Sequence, residues 1–132
     1  MAHVVTFRSA KFDIATETPN PINPIAGESV LLWLREQLGN SPYQTTTPDA
    51  EDWGWYVDVS GTDASYLVGA SADAEEPGGS VDWTIQIHKQ RSFVDKLTGA
   101  NKMAVEDPLS ALVERIIRAD PNIADVEVEK GA

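Results

Sequence analysis

Cysteine is absent from the 132 residues of this chain. That excludes disulfides, thiolate zinc centres and cysteine nucleophiles, and it fits the cytoplasm. Histidine is nearly as scarce. His3 and His88 stand far apart and no H-x-x-x-H spacing exists, so no metal site is expected. The phosphate-cradling patterns GxxxxGK[ST] and GxGxxG are missing, as is the G-x-S-x-G elbow, so no cofactor is expected either. No apolar run approaches the ~20 residues that span a bilayer. The opening MAHVVTFRSAKFD has no charged start followed by an apolar stretch, so no signal peptide is read there. Bases are in short supply, 10 against 21 acids, for a formal charge of -11. Such a surface repels nucleic-acid phosphates and anionic membranes and attracts a basic protein.

What is present is the pattern of an α+β fold. The hydrophobic fraction of 42% is enough to close one core, and residues 1–132 read as a single domain. Residues 4 to 14 read as strand, with a parity switch near Ser9 that marks a bulge or a break. The proline-rich TETPNPINPIAGES must be an extended loop. A helix from about Glu28 to Leu38 aligns Val30, Leu31, Leu34 and Leu38, and Gly39-Asn40 is expected to close it with positive φ.

Three strands are expected between Tyr43 and Arg91. The first places Trp53, Trp55, Val57 and Val59 on one face and Gly54, Tyr56 and Asp58 on the other. SYLVGAS is the second, and residues 71–80, SADAEEPGGS, are expected to be a loop. VDWTIQIHK is the third and alternates cleanly. SFVDKLTG has the cap and stop of a short helix, Ser92 and Gly99, with Asp95 completing a capping box. A longer helix starts with Asp107 and Pro108 and repeats Leu109, Leu112, Val113, Ile116 and Ile117 at helical spacing. ADVEVE closes the chain as an edge strand. The order β-α-β-β-β-α-α-β implies an antiparallel β-meander of about 4–5 strands, two to three helices packed on one face, and the other face open.

Candidate residues for function come from that open face and its rim. In EDWGWYVDV, Gly54 removes a side chain where a ligand or partner backbone could approach, and Tyr56 and Tyr66 would flank the gap. Glu51 and Asp52 are adjacent, so in a strand they diverge and do not form the facing carboxyl pair of acid–base catalysis. Asp58 shares the Tyr56 face. His88, on the polar face of the third strand, is a solvated histidine or a proton shuttle. His3 sits at the frayed start of the chain. Lys89, Arg91 and Lys96 form the best local anion site of an acidic chain, unless they pair with its surplus acids. Backbone amides near Gly27 and Ser29 are a second place for an anion, or for a helix cap.

No catalytic constellation emerges. The expected function is therefore a non-catalytic protein-binding module with a basic partner. Its charge and size are those of small inhibitors and immunity-type proteins that neutralise basic toxins. The alternative is a small-ligand-binding protein or enzyme. Its pocket would lie between the open sheet face and the 71–80 loop and use Glu51, Asp52, His88 or Arg91.

Overall fold

Residues 81–89 alternate without a fault, and the whole sheet follows from that alternation. In a computed structural model, which describes residues 2–75 and 79–131, they form β6 (Val81–Lys89). Val81, Trp83, Ile85 and Ile87 are buried, while Asp82, Thr84, Gln86 and His88 are half-buried on the other side. Antiparallel neighbours copy this parity. β1 (Ala2–Ser9) sets Val5 opposite Ile85 and Phe7 opposite Trp83. β5 (Ser65–Glu75) sets Val68 opposite Ile87 and Ala70 opposite Ile85. β4 (Gly54–Ser60) continues the buried face with Trp55, Val57 and Val59.

Three more strands complete a seven-stranded antiparallel sheet. β2 (Gln44–Thr45) and β3 (Asp49–Glu51) both pair with β4, and β7 (Ile123–Lys130) forms the far edge beside β1. The order is β2-β4-β5-β6-β1-β7, so β4, β5 and β6 form a meander of consecutive hairpins.

The helices close the core on one face. α1 (Glu28–Leu38) contributes Val30, Leu31, Leu34 and Leu38, and α3 (Pro108–Ala119) contributes Leu109, Val113 and Ile117. Leu112 and Ile116 are half-buried at its margin. The alternate sheet residues, among them Val4, Thr6, Tyr56, Leu67 and Thr84, stay outside the core cluster and partly reach solvent. The class is therefore α+β as expected, with seven strands among the described residues where the sequence pattern implies four or five. The two extra strands are β2 and β3, too short to show a period. Among the described residues no helix is long and apolar enough to cross a membrane.

Several local expectations change. Residues 10–14 are not strand. After Ser9 the chain turns, Phe12 packs edge-on against Trp33 and Trp83, and Ile14–Thr16 make one 3-10 turn capped by Asp13. Residues 71–75, expected as loop, extend β5, and 76–78 of that expected loop lie outside the described residues. Small Ala72 sits opposite Trp83 there, which gives the large indole room at the price of β-propensity. Gly39 is right-handed, with φ -60, and α1 closes instead through Ser41, whose N–H and hydroxyl both donate to the Leu38 carbonyl.

The start of α1 explains the proline segment. Gly27 offers no capping side chain, and Glu17 reaches back to supply one. Its carboxylate accepts from the amides of Gly27, Glu28 and Ser29 at 3.0–3.1 Å and from the Ser29 hydroxyl at 2.5 Å. Free amides at a helix start attract an anion, and here the anion is the chain's own. A Cβ on Gly27 would overlap the Ala70 carbonyl oxygen, so this approach of α1 to β5 requires glycine.

Two substitutions separate these contributions. Trp83→Ala empties the centre of the core and should cost about 3–5 kcal/mol. Glu17→Ala removes only the cap and should cost about 1–2 kcal/mol. Urea unfolding of both variants checks the ranking, and equal losses would contradict the placement of Trp83.

Candidate functional site

The stretch EDWGWYVDV folds into a hairpin rather than one strand. β3 pairs Glu51 with Gly54 of β4, which leaves Asp52-Trp53 as a two-residue turn. A turn residue escapes the period of two, and Trp53 accordingly leaves the helix-facing side expected for it. Its ring lies over Gly69 on the open face, where a Cβ would overlap the ring carbons. Trp55 alone of the pair is core. Gly54 has φ +147, and a Cβ there would overlap the Ala70 carbonyl oxygen. The bare backbone at Gly54 thus admits the chain's own neighbouring strand and leaves no gap beside Tyr56.

The turn is bolted down by the proline segment. Asn20 donates to the carbonyls of Glu51 and Gly54, both at 3.0 Å, and Asn23 donates to that of Asp52 at 2.8 Å. Tyr56 pairs across the strands with Gly69, so its ring and that of Trp53 border the same residue. Asp49 stands opposite Tyr56, and Asp58 and Glu51 lie close by. The negative charge of Asp49, reinforced by partial burial and by Asp58 and Glu51, raises the Tyr56 pKa. The phenol stays protonated, an aromatic contact ringed by acids.

The other expected site residues do not converge with it. Tyr66 is on the opposite face: it is buried, it packs edge-on against Tyr43 at 6.4 Å, and its hydroxyl donates to Asp107 at 2.9 Å. Its parity is that of Val68 and Ala70, and this overturns its placement on the open face. Asp52 is exposed in the turn. His88 shares a row with Asp58 and Leu67 but lies two strands from Asp58, about 10 Å. It contacts Gln86 at 3.1 Å, and burial lowers its pKa. Arg91 lies beyond the end of β6, where it binds the carbonyls of Ala100 and Asp95, both at 3.0 Å. Tyr56, Asp58 and Glu51 therefore share a neighbourhood that His88, Arg91 and Tyr66 do not.

The structure also assembles a polar group that sequence reasoning missed. His3, expected at a frayed end, is fully buried in β1 and contacts the Ser110 hydroxyl through Nδ1 at 2.5 Å. Ser110 donates its amide to Asp107 at 3.0 Å, and Asp107 also accepts from Tyr66. For His3, the shared parity with Val5 and Phe7 was the available signal. The Ser–His pair has the reach of a nucleophile and its base. With exposures of 2% and 0%, however, no substrate can touch it. It acts as a polar clamp between β1, the α3 cap and β5.

The surface carries shallow clefts. One of about 350 Å³ lies between Tyr43, the 61–64 turn, Lys89 and Asn101. Another, of about 260 Å³ at Thr6, Asp73, Asp82 and Asp125, is crossed by Arg8, which grips both Asp82 oxygens at 2.8 and 3.4 Å. Among the described residues no group of three or more His, Asp or Glu could hold a metal ion. Comparison with protein-family models, with curated proteins and with solved structures gave no match.

The buried clamp predicts a pH dependence. Burial lowers the His3 pKa below its ordinary 6.5, with the Asp107 charge opposing in part. The unfolded chain then binds the proton more readily, so stability is complete above pH 6.5 and is lost as pH falls below it. Burial, with the bond to Asp107, raises the Tyr66 pKa above its ordinary 10. That contribution is complete below pH 10 and is lost as pH rises further. Urea midpoints should fall on both sides of this plateau. His3→Gln should flatten the acid limb between pH 6.5 and about 5, apart from the share due to His88, and Tyr66→Phe should flatten the alkaline limb. Unchanged limbs in both variants would contradict the clamp.

Proposed function

We propose that this chain is a non-catalytic protein-binding module that engages a basic partner through the open face of its sheet. The observation that carries the reading is the Tyr56 neighbourhood: two aromatic rings on a rigid hairpin, ringed by Asp49, Glu51 and Asp58. Glu127 and Glu129, opposite Thr6 and Val4, extend the negative charge to the far edge. On this face Arg8 is engaged by Asp82. Aromatic rings fixed by their surroundings give contact area at little entropic cost, and surrounding acids steer a cation-rich surface toward them. An inhibitor-like role, in which the face simply covers a basic site on the partner, needs nothing more than these features.

The test is recovery of partners from host extract at low salt, followed by binding kinetics. Association should slow by about tenfold or more as salt rises to several times the physiological level, because steering is screened beyond about 8–10 Å. Trp53→Ala and Tyr56→Ala should act mainly on dissociation, and Asp58→Lys and Glu51→Lys mainly on association. Tyr66→Ala, in contrast, should destabilise the fold. A partner whose association ignores salt, or whose binding survives all four open-face changes, would overturn the proposal.

A further inference from the structure

The short helix α2 (Phe93–Thr98) is built to be seen. Its Ser92–Asp95 capping box is complete, and Gly99 closes it at φ 78. Arg91 donates to the carbonyl of Asp95 within the helix and to that of Ala100 just past its end. None of its residues is buried. Phe93, Val94 and Leu97 are 76%, 63% and 70% exposed, and Phe93 and Leu97, one turn apart, share a side. Val105, downstream, is also exposed. Six residues cannot sustain a helix by propensity alone, so the caps and Arg91 maintain one whose apolar side stays outside the core cluster of the described residues. A cluster of exposed large apolar side chains on an ordered element marks an interaction surface.

Charge identifies what covers it. Residues 89–105 hold Lys89, Arg91, Lys96 and Lys102 against Asp95, four bases and one acid, a net of +3 in a chain of -11. Lys89, Arg91 and Lys102 line a cleft of about 320 Å³ with Met103. Lys102 also passes close to Gly99, which joins the cleft to the end of α2. Among the described residues neither Lys89 nor Lys102 has an ion pair.

We propose that α2 and this cleft bind a segment of another protein that presents apolar side chains beside aspartate or glutamate. The apolar groups would cover Phe93 and Leu97, and the carboxylates would meet Lys89 and Lys102. A symmetric pairing of two copies through α2 fits worse, since it sets +3 against +3. An anionic membrane fits worse too, because the remainder of the chain carries -14 and is repelled by it. The surface is opposite in sign to the open sheet face, which it meets at Gln90, whose side-chain amide donates to Asp58 at 3.2 Å.

A random displayed-peptide library selected on the folded protein tests this, with the Phe93→Ser/Leu97→Ser double variant as counter-selection. These side chains are exposed, so the variant should fold, and its melting curve checks that. Recovered peptides should combine apolar residues with Asp or Glu. A synthetic copy of one should bind about tenfold more weakly to Lys89→Glu and to Lys102→Glu, and its amide shifts should map to residues 89–105. Basic peptides, or peptides that survive the counter-selection, would overturn the proposal. So would a dimer in sedimentation that Leu97→Ser abolishes, or α2-dependent binding to phosphatidylserine vesicles. Inorganic phosphate reproducing the peptide's shifts, with Leu97→Ser without effect, would assign the cleft to small anions instead.

Discussion

One constraint organises this molecule: the sheet has a single dry face, and Trp83 stands at its centre. Trp83 contacts Phe12, faces Phe7 on β1 and is met by small Ala72 on β5. Because successive strand residues point to opposite sides, burying Trp83, Ile85 and Ile87 commits Thr84, Gln86 and His88 to the other side. Antiparallel pairing then carries this decision through four strands. α1 and α3 cover the dry face, and everything available for recognition on the sheet lies on the other one.

The sequence was legible where a period had length to run. The alternation of 81–89, the α1 stripe, the α3 repeat and the caps at Ser92, Gly99 and Asp107 all appear where residue spacing puts them. It was misread where a turn breaks the period, as at Trp53, or where two large residues compete for a face. Leu67 and Tyr66 are such a pair. Tyrosine wins the core because its hydroxyl finds Asp107 there. His3 was hidden by the habit of treating chain ends as frayed, although its parity matched Val5. Residues 71–75 lack β-formers and are strand only because β6 lies alongside. The remote cap from Glu17 leaves no local trace, since its partners are ten to twelve positions away.

Of the candidate site, the Tyr56, Glu51 and Asp58 grouping was readable because a hairpin keeps these residues near in sequence. The reach from His88 or Arg91 was not, because it depends on strand order. Charge is distributed with the same economy. Acids dominate the open sheet face, while the bases of 89–102 gather around α2, none of whose residues is buried. The molecule thus has two surfaces of opposite sign, each combining aromatic or aliphatic area with charge, the combination that gives both contact energy and steering.

The central claim is a one-sided core with an acidic open face. Solvent paramagnetic relaxation of assigned side-chain protons, measured in parallel with a cationic and an anionic nitroxide, tests it most directly. The account predicts that the Tyr56 and Thr84 protons relax strongly and more with the cation, that Phe93 and Leu97 prefer the anion, and that Val68 and Ile85 are protected from both. Equal relaxation of Thr84 and Ile85, or a preference for the anionic probe around Tyr56, would contradict it.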